Sequence, residues 1–292
     1  MIKIILDSFL MLNAALIFAF PPEGYTSAQV DYSRPMIPRT RFMPDSTFPP
    51  TSQRPFLRRM LLKAGKKFLR WNGDFQTRHS LISTTPRIGN HEFNWVTALE
   101  ARWPAIREEL DRLLEHPEDI PAFHQISPDQ KRISKGDNWK TFGLFVYGQR
   151  VDENCAICPR TAQAVSEIPG MRTAMFSILK PHYHIVPHKG PTRAVVRAHL
   201  GLIVPKDREK LWIRVDDQIL HWDEGKVILF DDSYEHEVRN DTDELRAVLF
   251  LDIDRPMDKV GTAVNKLLFS LIKASPYVKQ PLKNLANWRR KE

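Results

Sequence analysis

Cysteine is nearly absent from the 292 residues. Only Cys155 and Cys158 occur, in Asn154-Cys-Ala-Ile-Cys-Pro-Arg-Thr161. That excludes a disulfide scaffold, and a single CxxC cannot by itself make a four-cysteine zinc site. Pro159 is expected to open a helix, which sets the pair near a helix N-terminus where thiolates are favoured. A redox role stays open on that ground, although nothing else of a thioredoxin accompanies it. The other reading is a loop entering a helix.

A long apolar run is missing too. Ile2 to Phe20 is mostly apolar but is broken by Lys3, Asp7, Ser8 and Asn13, and a spanning helix needs about 20 apolar residues. Phe20 runs into Pro21-Pro22 with no small-residue cleavage site between them. The expectation is a cytoplasmic protein whose N-terminal segment can associate with a membrane, the alternative being an ordinary packed helix. Internal repeats and nucleic-acid motifs are also lacking, so the net charge of +8 gives no reason to expect a nucleic-acid partner. The positive excess is concentrated in the stretch Arg54 to Lys67 and in the tail Trp288-Arg-Arg-Lys. Basic arms of this kind either touch anionic lipid or are solvated faces.

What remains is an ordinary globular composition, 27% charged and 42% apolar. Its pattern divides the chain into an apolar segment over 1–20, a Pro-rich arm and basic helix over 21–90, a principal domain over 91–256 and a basic helical tail over 257–292. Apolar Trp95, Leu99, Trp103, Ile106, Leu110 and Leu113 recur at helical spacing between about Asn94 and Glu115, with Pro104 expected to kink or restart the helix. From Trp139 onward the pattern changes to short apolar runs between turn signals. Strands are expected over 139–147, 173–180, 195–204, 211–215, 218–222, 226–230, 234–238 and 246–253, which suggests a sandwich or jelly roll.

Strand alternation then sorts side chains by face. Arg197, His199, Gly201 and Ile203 share one face of their strand, and Arg246, Val248, Phe250 and Asp252 share one face of the last. Cations turned into a barrel interior are costly unless a ligand or metal satisfies them.

Two further stretches carry candidate chemistry: His188-Lys189-Gly190-Pro191-Thr192, and Asp231-Asp232-Ser233-Tyr234-Glu235-His236 followed by Arg246. Two imidazoles on separate strands suit iron, zinc, copper or nickel. Iron oxygenases usually add a carboxylate to two histidines, and here glycine stands where an HxD spacing would place it. The site becomes credible if 2-oxoglutarate chelates the metal and Arg246 binds its far carboxylate bidentately. Most of the ten histidines are expected to be exposed or hydrogen-bonded. His182, His184 and His188 form an alternative, zinc-like cluster, but no HExxH helix supports a zinc hydrolase.

Several motifs in order extend the pattern: Pro187-His188-Lys-Gly-Pro-Thr192, Arg197-Ala-His199-Leu-Gly-Leu202, Trp222-Asp-Glu-Gly-Lys-Val227 and Phe230-Asp-Asp-Ser-Tyr-Glu-His236-Glu-Val238, then Arg246. Over about Trp139 to Pro256 the chain resembles the aspartyl/asparaginyl β-hydroxylase family of Fe(II)- and 2-oxoglutarate-dependent dioxygenases. The resemblance implies a mainly β fold, a cupin-like double-stranded β-helix with flanking helices. It implies Fe(II) held by His188 and His236, O2 and 2-oxoglutarate as co-substrates, and hydroxylation of a C–H bond. It also implies that Arg246 and Ser177 hold the distal end of 2-oxoglutarate, that Arg197 and His199 hold its metal-bound end, and that Trp139 walls the pocket. The implied substrate is a peptide aspartyl or asparaginyl residue or, as in the lipid A hydroxylases of the same family, an acyl chain. Peptide-acting relatives carry an Asn and an additional Arg in the stretch after the first histidine, the Arg reading an acidic side chain; Arg193 and Val195 stand there in this chain. A reading from another class is a jelly roll that binds a ligand without catalysis.

Overall fold

The computed structural model describes residues 71–274 and 276–289. The apolar segment and most of the basic arm lie outside them. All that follows belongs to one compact unit, Leu69–Glu292.

Eleven strands form two sheets. They are β1 (Arg87–Ile88), β2 (Trp139–Val146), β3 (Gln149–Arg150), β4 (Met171–Leu179), β5 (Tyr183–His188), β6 (Val195–Ile203), β7 (Leu211–Val215), β8 (Gln218–Leu220), β9 (Val227–Phe230), β10 (His236–Asn240) and β11 (Arg246–Asp254). The larger sheet runs β1-β9-β6-β11-β4-β2-β3 and the smaller β5-β10-β7-β8, with every pairing antiparallel. This is the expected jelly-roll sandwich with flanking helices.

The larger sheet buries both faces, so its central strands read as nearly continuous apolar runs. One face packs Leu144, Leu200 and Leu249 against helical Ile106, Leu110 and Val165. These helical residues come from α2 (Trp103–Leu113) and α5 (Pro159–Ser166), which follow the short helices α1 (Val96–Ala101), α3 (Phe123–Ile126) and α4 (Asp152–Ile157). The opposite face packs Met175, Val248 and Phe250 against Ile185, Ile213 and Val238 of the smaller sheet. Alternation along β6 and β11 therefore sends Ala198, Leu200 and Leu249 to the helices, and His199, Val248 and Phe250 to the sandwich interior.

The expected helix over 94–115 is two helices, and Pro104 stands in the first turn of the second, where its missing N–H costs nothing. The expected boundary near residue 90 is not a boundary in the fold. β1 pairs with β9, Leu81 N–H donates to Pro256 O, and Asp231 N–H donates to Pro86 O. The C-terminal segment is not a separate tail either. It forms α6 (Lys259–Ala274) and α7 (Pro276–Arg289), which pack on each other, and α7 also packs against α3. Among the described residues no helix is long and apolar enough to cross a membrane.

The cysteines differ from expectation as well. Both are free and fully buried, and burial raises both thiols, Cys158 to about 12. The helix terminus does not yield a thiolate because desolvation outweighs it, and for Cys158 the nearby Glu109 adds to the rise.

Candidate active site

β5 and β10 are neighbours, and His188 and His236 are direct partners in their register. The two rings lie 4.1 Å apart, centroid to centroid. Each Nδ1–H donates to the backbone carbonyl two residues before it: His188 to Val186 O at 2.8 Å and His236 to Tyr234 O at 3.0 Å. Those bonds fix the tautomer and leave both Nε2 lone pairs unprotonated, as a metal ligand requires. Burial is the main reason both imidazoles stay neutral, His188 being held down to about 4 and His236 to about 3.

Gly190 is tightly enclosed. A Cβ there would meet Asp232 Oδ2 at 2.2 Å, and Gly190 N–H donates to Asp232 O at 2.7 Å. A carboxylate thus stands beside the glycine, delivered by the loop before β10 instead of by residue 190. Asp232 is buried, and its Oδ1 has no partner among the described residues. Burial pushes its carboxyl up to about 7 against the pull of Arg197. Asp232 lies beside Gly190 and lines the same cavity as His188; among the described residues no three His, Cys, Asp or Glu side chains form a metal-holding group.

Arg197 lies between two acids. Its Nε and one terminal nitrogen donate to Asp252 at 2.9 and 3.3 Å, and it pairs with Asp232 at 2.9 Å. Although burial opposes its charge, these two carboxylates hold Arg197 firmly protonated.

Arg246 is the contrasting case. It is 1% exposed, its Nε has no partner, and its one side-chain bond among the described residues is a long one to Ser177 O at 3.4 Å. It lies over the Trp222 ring at 4.8 Å. Burial alone pulls the guanidinium down to about 9, so it is still a cation at neutral pH, and among the described residues no carboxylate balances it. His199 shares this interior. Trp222 Nε1–H donates to its Nδ1 at 3.3 Å, which puts the ring proton on Nε2, and that atom is buried without an acceptor. Desolvation keeps this ring neutral. Phe230 lies between the two regions, 5.1 Å from the His199 ring and 5.8 Å from that of His236. Ser177 Oγ accepts the Trp139 indole N–H at 3.0 Å, leaving the hydroxyl proton free to donate elsewhere.

The other histidines of the alternative cluster turn away. His182 pairs with Asp243, and His184 with Glu237 at 2.6 Å. A cavity opens on the site, lined by His188, Asp232 and Arg197 and, from other elements, by apolar Met175, Phe269 and Leu285. Val195 also lines it, whereas Arg193 is held elsewhere by Thr77, Ser233 and the face of the Tyr234 ring.

Asp232, Asp252 and Trp222 were not singled out from sequence as site residues. A signal for the first existed: two consecutive acids, Asp231-Asp232, at the end of an apolar strand. Only one of them is answered by the Arg255 guanidinium, in a pair with both side chains fully buried.

Residues 100–256 match the family described as Aspartyl/Asparaginyl beta-hydroxylase. An ornithine lipid ester-linked acyl 2-hydroxylase from Rhizobium tropici is 42% identical over 221 residues, which is 76% of this chain and 79% of that protein. The human aspartyl/asparaginyl beta-hydroxylase is 33% identical over 166 residues, 55% of this chain but 21% of the human protein. An oxidoreductase of the 2OG-Fe(II) oxygenase family from Burkholderia pseudomallei overlaps 41% of this chain and 70% of its own at 16% identity and a TM-score of 0.32, too distant a likeness to carry weight. The family match over more than half the chain, together with the extent of the first relative, means that this chain belongs to the aspartyl/asparaginyl β-hydroxylase family.

Proposed function

We propose that the protein is an Fe(II)- and 2-oxoglutarate-dependent hydroxylase that oxidises a C–H bond on the acyl chain of a membrane lipid. The observation that carries the co-substrate is Arg246, a buried cation with no anion beside it among the described residues. Such a group is expensive to maintain unless a ligand supplies the charge, and a dicarboxylate does so with bidentate geometry.

The residues fit the implied cofactors. His188 and His236, partners on adjacent strands, would hold the iron through their neutral Nε2 atoms. Bound iron with 2-oxoglutarate supplies the activation of O2, with release of succinate and CO2 and insertion of one oxygen atom into the substrate C–H bond. Arg246 would clamp the distal carboxylate, with the Ser177 hydroxyl as a second donor. His199 Nε2–H would donate to the co-substrate end nearer the metal. Arg197 would hold Asp232 in place beside Gly190, so that a carboxylate is present near the metal without occupying a coordination position. Trp139 would order Ser177 and exclude water from that wall.

The acyl-chain reading rests on the cavity, where Met175, Phe269 and Leu285 offer no partner to an acidic side chain. The peptide reading would need a fixed cation near the histidines; Arg193 is held by Thr77 and Ser233 and Arg172 by Asp254, which leaves the exposed Lys189 of the cavity lining as the cation an acidic side chain would have to use. The lipid substrate named for the Rhizobium tropici relative agrees with this choice. Incubation with Fe(II), 2-oxoglutarate and either an acyl lipid or an aspartyl peptide, followed by mass spectrometry, tests both parts. A gain of one oxygen on the lipid, lost in His236→Ala, is expected; oxidation of the peptide alone would overturn the substrate reading.

A further inference from the structure

The charge of the chain is sharply partitioned. Residues 71–258 carry 24 basic and 30 acidic side chains, whereas residues 259–289 carry six basic and none acidic. The basic set belongs entirely to α6 and α7, the helices that contribute Phe269 and Leu285 to the cavity wall.

The outer side of α6 is ordered. Lys259, Lys266 and Lys273 recur every seven residues and so return to nearly the same side of the helix. All three are exposed. Beside them Val260 and Leu267, also seven apart, are 51% and 40% exposed. The inner side is Gly261, Asn265 and Leu268, all buried; Gly261 allows close approach, since a Cβ there would lie 2.6 Å from His79 Cβ. On α7, Lys279 and Lys283 are exposed while Pro281 and Leu285 are buried. None of these lysines has an ion pair to an acid among the described residues. An outer face of lysines alternating with exposed aliphatics is well suited to an anionic interface, where the chains bury and the ammonium groups stay at headgroup level.

We infer that the outer face of α6 and α7 docks on an anionic lipid bilayer and that docking sets the cavity mouth against the membrane. This rests on the acyl-chain reading given above. Other occupants fit the charge less well. A second copy would bring the same basic face. Residues 1–70 contain 11 basic and four acidic side chains, so they cannot neutralise it.

The test uses the full chain without added metal. Both native cysteines are fully buried, so an environment-sensitive thiol dye can be directed to Leu267→Cys and, as a control, to Ile219→Cys on β8. With vesicles containing phosphatidylglycerol, the dye at 267 is expected to shift to the blue and be quenched by lipid-borne quenchers, and the dye at 219 is not. Pure phosphatidylcholine vesicles are expected to give no shift. Replacing Lys259, Lys266 and Lys273 together by Gln is expected to weaken vesicle binding by about 100-fold, roughly fivefold per lysine near an anionic surface compounded over three, while 2-oxoglutarate turnover, measured separately with Fe(II) and without vesicles, is unchanged. Vesicle binding that leaves the dye at 267 unaltered would assign docking to residues 1–70 and overturn the proposal. So would a dye at 267 already shielded without lipid, the sign of a face covered by the chain itself or by a second copy. Because docking is read without iron, its failure is separable from failure to hydroxylate. A docked protein that oxidises no lipid sinks the acyl-chain reading, and a lipid hydroxylase whose residue 267 stays in water sinks the docking face.

Discussion

Gly190 and Asp232 compete for one space: a side chain at 190 would begin 2.2 Å from the Asp232 carboxylate. The glycine is therefore required by the acid that stands beside it. Gly190→Asp should not create a working three-ligand site, because the new carboxylate would collide with a buried one. We expect it to lower turnover by at least tenfold and to reduce Tm. Combining it with Asp232→Gly should restore Tm. Differential scanning calorimetry and succinate release on the single and double variants check this.

Arg246 trades stability for function. Replacing it by Met removes a buried, unbalanced cation, so the protein free of metal and co-substrate should melt at a higher temperature than the parent. The parent should gain stability when 2-oxoglutarate is added, since a ligand that binds only the folded state shifts unfolding by mass action. The variant should gain none, and its 2-oxoglutarate requirement should rise by about 100-fold or more, consistent with loss of a buried charged contact. An unchanged thermal response to 2-oxoglutarate in Arg246→Met would place the co-substrate elsewhere.

Protonation of the two metal-side histidines has a defined sign. Burial lowers His188 to about 4 and His236 to about 3, against an unfolded value of about 6.5. Between those limits the unfolded chain binds protons that the folded chain does not, so stability falls as pH falls from about 6.5 toward 4 and is flat above that window with respect to these groups. Asp232, pushed up to about 7, works in the opposite direction over the same window, so the histidine part is read by difference: in urea titrations of metal-free protein from pH 7.5 to pH 4.5, His236→Phe should lose less stability on acidification than the parent.

A buried glutamine ties three segments together. Gln76 Nε2 donates to Asn265 Oδ1 of α6 at 3.2 Å and to Thr192 Oγ1 at 2.9 Å, while its Oε1 accepts Arg193 N–H at 2.9 Å. Gln76→Leu leaves those groups without partners, which costs about 1–3 kcal/mol for each one that stays buried. We expect lower stability in urea and weaker Fe(II) binding, because Thr192 and Arg193 follow the loop that carries His188. Competition with a chelator measures the second effect.

The cavity wall should select chain length. Leu285→Trp fills space between α7 and the site, and we expect turnover on a long acyl chain to fall while 2-oxoglutarate consumption without substrate persists. Equal loss of both activities would mean that the wall supports the fold and does not receive substrate.

Much of this arrangement can be read from sequence, for physical reasons that differ between residues. β2, β4, β6 and β11 are long apolar runs with turn signals, so their period and ends are visible. Their parity places His199 in the interior. β5 is less visible because Pro187 interrupts it; it is nonetheless a strand because it lies at the edge of the smaller sheet, where a proline is tolerated. The helical nature of Asp152–Ile157 is hidden by its brevity. Asp232 is hidden for another reason: its importance depends on contact with Gly190, 42 positions away in sequence, and no local pattern encodes that approach. The unbalanced state of Arg246 is likewise invisible until every neighbouring acid has been located.

The burial of Cys155 and Cys158 has a bearing on durability. An enzyme that activates O2 at iron releases stray oxidants whenever turnover is uncoupled, and thiolates are the first groups such species attack. Here the two thiols lie beneath the helical layer, with Cys155 Sγ donating to Leu144 O at 3.3 Å and both protonated at physiological pH. On the proposed chemistry, self-inflicted damage should fall first on side chains lining the cavity, Met175 among them. The appearance of a sulfoxide there, with both cysteines still reduced, would mark the age of a working molecule.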